Sequence, residues 1–223
     1  MEKTRYSYPI GYAPKEISDQ AAILERAFPR LMIKDKRLFL DSLPPGAEAR
    51  FIFPYWKRVA SIYGGAVQRA LELLKEQRQG RFYNWRVGAL EKFRQNRLTD
   101  NMLLAFWNRQ GEGVNSDFLV VPAQFALRYR NRSIEEAREA FVDGEFGLGA
   151  FEVGCMLLTH PERLVSYADL WIDCPGDEFS FYGSPDFSSS SNFSIGARNL
   201  LEFNTGLAGS PSNHYGSVSG FLE

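Results

Sequence analysis

Residues 54–80 read PYWKRVASIYGGAVQRALELLKEQRQG, and the spacing of their apolar members decides how the front of the chain is expected to fold. Trp56, Ala60, Tyr63, Val67, Ala70 and Leu74 recur at alternating four- and three-residue steps, which is one face of a helix. Lys57, Arg58, Gln68, Arg69, Glu72, Lys75 and Glu76 fall on the other faces. Pro54 suits a first turn, where its missing N–H has no intrahelical partner anyway, and Gly80 suits the stop. The stretch predicts one helix over about 55–79. Gly64-Gly65 inside it weakens the helix by roughly 0.8–1 kcal/mol per residue relative to Ala, so a neighbour is expected to pack closely there.

Working outward, Ser18 reads as the N-cap of a helix through Ala21, Ala22, Leu24 and Phe28 that Pro29 ends or kinks. Downstream, one helix is expected around Trp85 to Asn96. Another, capped by Thr99, runs through Met102, Leu103, Phe106 and Trp107 to a stop near Gly111. Asp117 to Val121 is an apolar run of strand length, with Pro122 placing its end at an edge or bulge. The expected class is therefore α+β, with a mostly helical N-terminal half followed by a mixed region ending in short antiparallel strands. The seam divides a basic, mainly helical region 1–112 from an acidic mixed region 113–223, unless the two form one continuous domain.

In the second region, Ser133-Ile134-Glu135-Glu136 has capping-box spacing and opens a helix through Arg138 to Val142. A second helix covers Phe151 to Leu158. Thr159-His160-Pro161-Glu162 repeats the capping pattern for a short helix ending near Tyr167. Asp169 to Cys174 alternates polar and apolar like a half-buried strand. Beyond Pro175, Phe179, Phe181, Phe187, Phe193 and Phe203 arrive between Gly, Ser, Asn, Asp and Pro, which reads as short strands and turns. Ser188 to Ser191 reads as a loop or linker.

The charge is split. Residues 1–110 carry 20 Lys and Arg against 11 Asp and Glu, whereas residues 111–223 carry 6 against 16, and the last lysine is Lys92. Such a division can steer a polyanion to one end, dock the halves on each other, or join copies head to tail. An apolar fraction of 44% with 14% aromatic residues is that of a folded globule, which excludes global disorder. No run approaches the roughly 20 apolar residues that span a bilayer. Met1 to Tyr6 lacks the apolar core of a secretory signal, and the two cysteines form no redox or metal motif. A cytoplasmic protein with no membrane association and no cofactor is expected.

The clearest chemical constellation is the interleaving of basic and aromatic residues over 57–109. Guanidinium and ammonium groups neutralise phosphates and exposed rings can stack on unpaired bases, so Arg78, Arg81, Arg86, Tyr83 and Trp85 are the candidate binding residues. No helix-turn-helix, RRM, KH or finger signature accompanies them. Weaker catalytic candidates are His160, His214 and Cys174, residue types that could form a nucleophile and base. Asp173, Asp177 and Glu178 lie around a Pro-Gly pair and could offer oxygen ligands to a hard cation, although the spacing is not that of an EF-hand loop. Gly144, Gly147, Gly149 and Gly154 follow a predicted helix rather than a strand and so do not make a dinucleotide fingerprint; close helix packing is the expectation for them. The functional expectation is a non-enzymatic protein-interaction module that binds a protein partner or itself. The alternatives are a nucleic-acid-binding protein using 57–109, and a hydrolase or metal-dependent enzyme with a site near 173–178.

Overall fold

Every one of the ten residues of the helix Ala150–Thr159 (α5) is buried, and a helix without a polar face has to be surrounded. It is enclosed by two further helices, Ile17–Ala27 (α1) and Tyr63–Gln77 (α2), and by strands from two sheets, Ala49–Pro54 (β1) and Trp171–Phe179 (β6). Gly154 allows α2 to approach, since a Cβ there would lie 3.1 Å from that of Ala70. The computed structural model describes residues 8–33, 42–111, 116–181 and 187–222. Residues 1–7, read above for a leader, lie outside them.

The first sheet has the order β1, Phe118–Gln124 (β4), Ser219–Phe221 (β10), Glu145–Gly147 (β5), all antiparallel. The second runs Phe82–Asn84 (β2), Leu201–Leu207 (β8), Ser189–Ile195 (β7), β6, Phe93–Gln95 (β3), and Tyr215–Ser217 (β9) also pairs with β6. The β2–β8 and β6–β9 pairs are parallel. Strands from before and after residue 112 thus pair in both sheets. The second sheet's inner face carries a ring cluster, with Phe93 to Phe179 at 4.7 Å, Phe193 to Phe203 at 5.1 Å and Phe93 to Phe203 at 5.8 Å between centroids. Each such side chain contributes roughly 1.5–3 kcal/mol by burial. The remaining helices are Arg97–Gly111 (α3) and Ile134–Glu139 (α4).

The expected mostly helical N-terminal half is overturned. The protein is rich in sheet, with ten strands in two sheets and five α-helices among the described residues, 34% helical and 26% strand. Pro54 ends β1 rather than opening a helix; a 3₁₀ turn over Trp56–Arg58 follows, and α2 begins only at Tyr63. The helical spacing of Trp56 and Ala60 was coincident with that of α2, but Trp56 turns to donate its indole N–H to Gln95 at 2.9 Å. The stretch expected as a helix over 85–96 instead holds a 3₁₀ turn and β3, just after β2. Both short strands are fixed by pairing with β8 and β6 more than 80 residues away, which local propensity cannot report.

Ser188 to Ser191 is not a linker, since from Ser189 onward it forms the buried start of the central strand β7. The Ser190 hydroxyl lies within hydrogen-bond reach of the carbonyls of Cys174 (2.7 Å) and Asp177 (3.0 Å), so this hydroxyl is satisfied inside the sheet. The Pro175-Gly176 pair likewise lies within β6, where the register shifts between Cys174 and Phe179, rather than in a turn. Pro122 lies in β4 between two neighbours, just beyond the reach of β10, whose pairing covers Ala123 and Gln124. The capping box at Ser133 is formed, with Glu136 N–H donating to Ser133 Oγ at 3.1 Å and Ser133 N–H to Glu136 Oε2 at 2.7 Å. The second capping pattern is not: Thr159 Oγ1 faces back to the carbonyl of Met156 at 3.0 Å, and only a 3₁₀ turn over Pro161–Arg163 follows.

Candidate functional site

Strand β2 is the free end of the six-stranded sheet, paired on one side with β8. Its alternation buries Phe82 and turns Tyr83 outward, and the next outward position is Trp85. Tyr83 is 48% and Trp85 52% exposed, so the two rings form an apolar ridge at this edge, and Val87, in the turn that follows the strand, is 80% exposed. The rings of Tyr83 and Trp85 meet edge to face at 4.7 Å. The indole N–H of Trp85 donates to Glu202 Oε2 at 3.0 Å, across from Tyr83 on β8, which fixes the ring's orientation.

Two of the three arginines expected to act with these rings, Arg78 and Arg86, are turned to other groups. Arg78 follows the C-terminus of α2 and turns into the protein, its Nη2 donating to the carbonyls of Pro161 (2.7 Å) and Leu164 (3.1 Å). Arg81 reaches the Asn199 carbonyl at 3.1 Å. Arg86 lies over the Phe181 ring at 4.7 Å and the Phe179 ring at 5.5 Å, and donates to the Thr205 carbonyl at 3.4 Å. Thus Arg78 and Arg81 are neighbours in one cavity, Tyr83 and Trp85 form the ridge, and Arg86 covers phenylalanines.

The catalytic candidates are placed apart from one another in character. His160 is buried; its Nε2 accepts the Lys15 N–H at 2.9 Å, which puts the proton on Nδ1, 3.2 Å from the Met156 carbonyl. Burial, and then the charge of Lys15, push its pKa down to about 4, so it is a neutral structural imidazole at neutral pH. His214 lies in an aromatic cluster, 5.3 Å from the Trp171 ring and 6.2 Å from Tyr167. Cys174 is fully buried on the inner side of β6, and burial together with the nearby Asp177 pushes its thiol well up, away from the thiolate a nucleophile requires.

Asp173, Asp177 and Glu178 do not converge. Glu178 faces outward to Arg94 Nε at 2.5 Å and Asn96 Nδ2 at 3.0 Å. Asp173 is buried on β6, and burial raises its pKa well above the ordinary value. Asp177 points inward to the start of α5. Among the described residues no three His, Cys, Asp or Glu side chains gather as a metal-ligand set.

The inward turn of Asp177 reveals a polar cluster that the sequence reading passed over. Asp177 accepts from the Tyr63 hydroxyl, the Ser191 hydroxyl (2.6 Å) and the Ala150 N–H (3.0 Å). Glu152 accepts from the Gly149 N–H (3.1 Å) and from Gln95 Nε2 (3.0 Å), and its Oε2 lies 3.5 Å from the Tyr63 hydroxyl. Burial, reinforced by Asp177, pushes Glu152 up to about 8, so it is protonated at neutral pH. Burial also raises Asp177, to about 6, against the opposing pull of the Ser191, Tyr63 and Ala150 hydrogen bonds. A Cβ at Gly149 would overlap both the Tyr63 hydroxyl and the Asp177 carboxylate, so glycine is required there by close approach. The cluster ties α2, α5, β3, β6 and β7 together and is closed to solvent, which makes it a keystone of the fold. Its one legible signal is Glu152, the lone charge in an otherwise apolar helix, three residues after Gly149.

No protein-family model matches the chain, and neither a curated protein nor a solved structure matches it.

Proposed function

We propose that this protein is a non-enzymatic interaction module that grips a protein partner with the edge ridge of Tyr83 and Trp85 and with Val87 just after it. The observation that supports this is the exposure of three apolar side chains at and just after a sheet edge, two of them of the ring types that dominate interface energetics. The bond to Glu202 holds the Trp85 ring in one orientation before binding, which reduces the ordering penalty of association. The partner has an apolar recess for the ridge and a cation beside it for Glu202.

A nucleic-acid reading fits this edge less well. The acidic Glu202 sits at the ring that would stack on a base, and Arg78 and Arg86 face the protein interior and the phenylalanines rather than this surface. The test is affinity capture and sedimentation with the wild type and the double variant Tyr83→Ala, Trp85→Ala. A stoichiometric protein partner that the double variant no longer retains supports the proposal. If both proteins retain the same partner, or labelled oligonucleotides bind in a salt-sensitive way that depends on Trp85, the reading is wrong.

A further inference from the structure

Arg78 and Arg81 line a cavity of about 340 Å³ beside the C-terminus of α2. Arg78, Arg81 and Asn199 line it together with the apolar Ile195 and Leu201, and among the described residues no carboxylate does. Arg81 is exposed and its charge is screened by water, so the pair stands without a counter-charge and offers two cations to an entering anion.

The chain does little to neutralise the pair. Burial and the adjacent Arg81 both pull the Arg78 pKa down, and Glu162, the acidic group that acts against this, is engaged by Lys15. Arg78 is held in place by the Pro161 and Leu164 carbonyls through Nη2, while its buried Nε–H has no acceptor. The amide N–H groups of Arg78, Gln79 and Gly80 already cover the carbonyls of Leu74, Glu76 and Lys75. Two of the cavity's residues, Gln79 (φ 53°) and Asn199 (φ 55°), hold the left-handed conformation that is uncommon outside glycine. Arg81 Nη2 donates to the Asn199 backbone carbonyl at 3.1 Å, and the Asn199 amide, turned over, would donate to the Val165 carbonyl and accept from Arg81, so the Arg81 side chain is positioned rather than free.

We infer that this cavity binds a small phosphate monoester, its phosphate between Arg78 and Arg81 and its organic group against Ile195 and Leu201. Planar guanidinium forks match the oxygens of a phosphate, and a dianion balances two cations where a carboxylate balances one. The volume is that of a small-molecule site and exceeds what a phosphate group alone fills, which is why the apolar wall points to an organic monoester.

The test is isothermal titration of the intact chain at constant ionic strength with phenyl phosphate, inorganic phosphate and benzoate, repeated on Arg81→Gln. Arg81 is exposed, so the variant is expected to keep the wild-type unfolding temperature without ligand. The expected result is one saturable site for phenyl phosphate, weaker binding of inorganic phosphate and of benzoate, and a loss of at least about tenfold in affinity on Arg81→Gln. Absence of saturable binding by the wild type up to about 10 mM phenyl phosphate overturns the site. So does a variant that binds as tightly as the wild type. Benzoate binding as well as phenyl phosphate overturns the choice of a dianion, and inorganic phosphate binding as well overturns the role of the apolar wall. These outcomes need no protein partner, so the edge ridge and the cavity stand or fall separately.

Discussion

Replacing Glu152 by Gln should remove a pH dependence rather than simply lower stability. In the folded protein Glu152 holds its proton up to about pH 8, against an ordinary value of 4.5. A group whose folded pKa is raised stabilises fully below its unfolded pKa, and that contribution is lost as pH rises through the folded pKa. Between those two values the folded state binds one more proton than the unfolded state, so stability falls by up to about 1.4 kcal/mol per pH unit. Asp177, raised to about 6, acts with the same sign at lower pH, and His160, lowered from 6.5 to about 4, acts with the opposite sign there. Near pH 6.5 these two oppose each other, and both level off by about pH 7.5. From pH 6.5 to 8 the Glu152 contribution falls by about 1.6 kcal/mol in the wild type.

Glutamine cannot titrate, but it cannot satisfy every neighbour either. Glu152 receives N–H groups on both oxygens, from Gln95 and from Gly149, and an amide nitrogen at either position faces a donor. One hydrogen bond is lost, at about 1–3 kcal/mol, independently of pH. The variant should be clearly weaker than the wild type at pH 6.5 and should close most of that gap by pH 8. Urea unfolding of both proteins at three pH values across this range measures the difference, in which the titration of Asp173 and all other shared groups cancels. Parallel pH profiles would mean that Glu152 is ionised in the folded protein at neutral pH, and the account of the keystone would fail.

Three further expectations follow from the same geometry. Gly149→Ala should destabilise by at least about 3 kcal/mol in urea unfolding, because its Cβ displaces the Tyr63 hydroxyl and the Asp177 carboxylate together; a loss near that of an exposed Gly→Ala change would contradict the packing. The His160 imidazole should stay neutral by NMR titration until about pH 4, and stability should fall as pH drops from 6.5 through that value, since the unfolded histidine takes up its proton first. Trp85→Ala should cost no more than about 1 kcal/mol in unfolding free energy, because the half-exposed ring contributes little to the core; a larger loss would mark the ridge as part of the fold rather than a contact surface.

What the sequence made legible was local chemistry. The Ser133 capping box and the α5 helix depend on residues within one or two turns, and both form where the spacing placed them. What escaped it was pairing. β2 and β3 are three residues each and exist because β8 and β6 lie beside them, so no period could appear in so short a window. Serines 189–191 carry the composition of a loop, yet the carbonyls and carboxylate of β6 receive the hydroxyls of Ser190 and Ser191 and make the stretch a strand. The same limit applied to the site. Arg78, Arg81, Tyr83 and Trp85 are close in sequence, but the turn after α2 and the strand that follows send them to different surroundings.

The charge split has a use within the chain. Lys15 pairs with Glu162, Arg58 with Asp117 at 2.6 Å and Arg94 with Glu178 at 2.5 Å, each joining a cation of the basic front to an acid of the back. These pairs fit docking of the halves on each other, but Lys57 also pairs with Asp100 within the front and Arg128 with Glu145 within the back, so they do not set docking above the other two roles. Exposed pairs of this kind add little stability, typically below about 1 kcal/mol each, so their effect is chiefly to select which segments lie together. It follows that a polyanion would meet a basic half already faced by its own acids, and that cations left without an acid carry more information than the net charge does. Arg78 and Arg81 are such cations, and they face the same cavity. The recognition chemistry of this protein is therefore to be sought in particular unmatched groups, the two guanidiniums and the exposed rings of the β2 edge, and not in the bulk polarity of its halves.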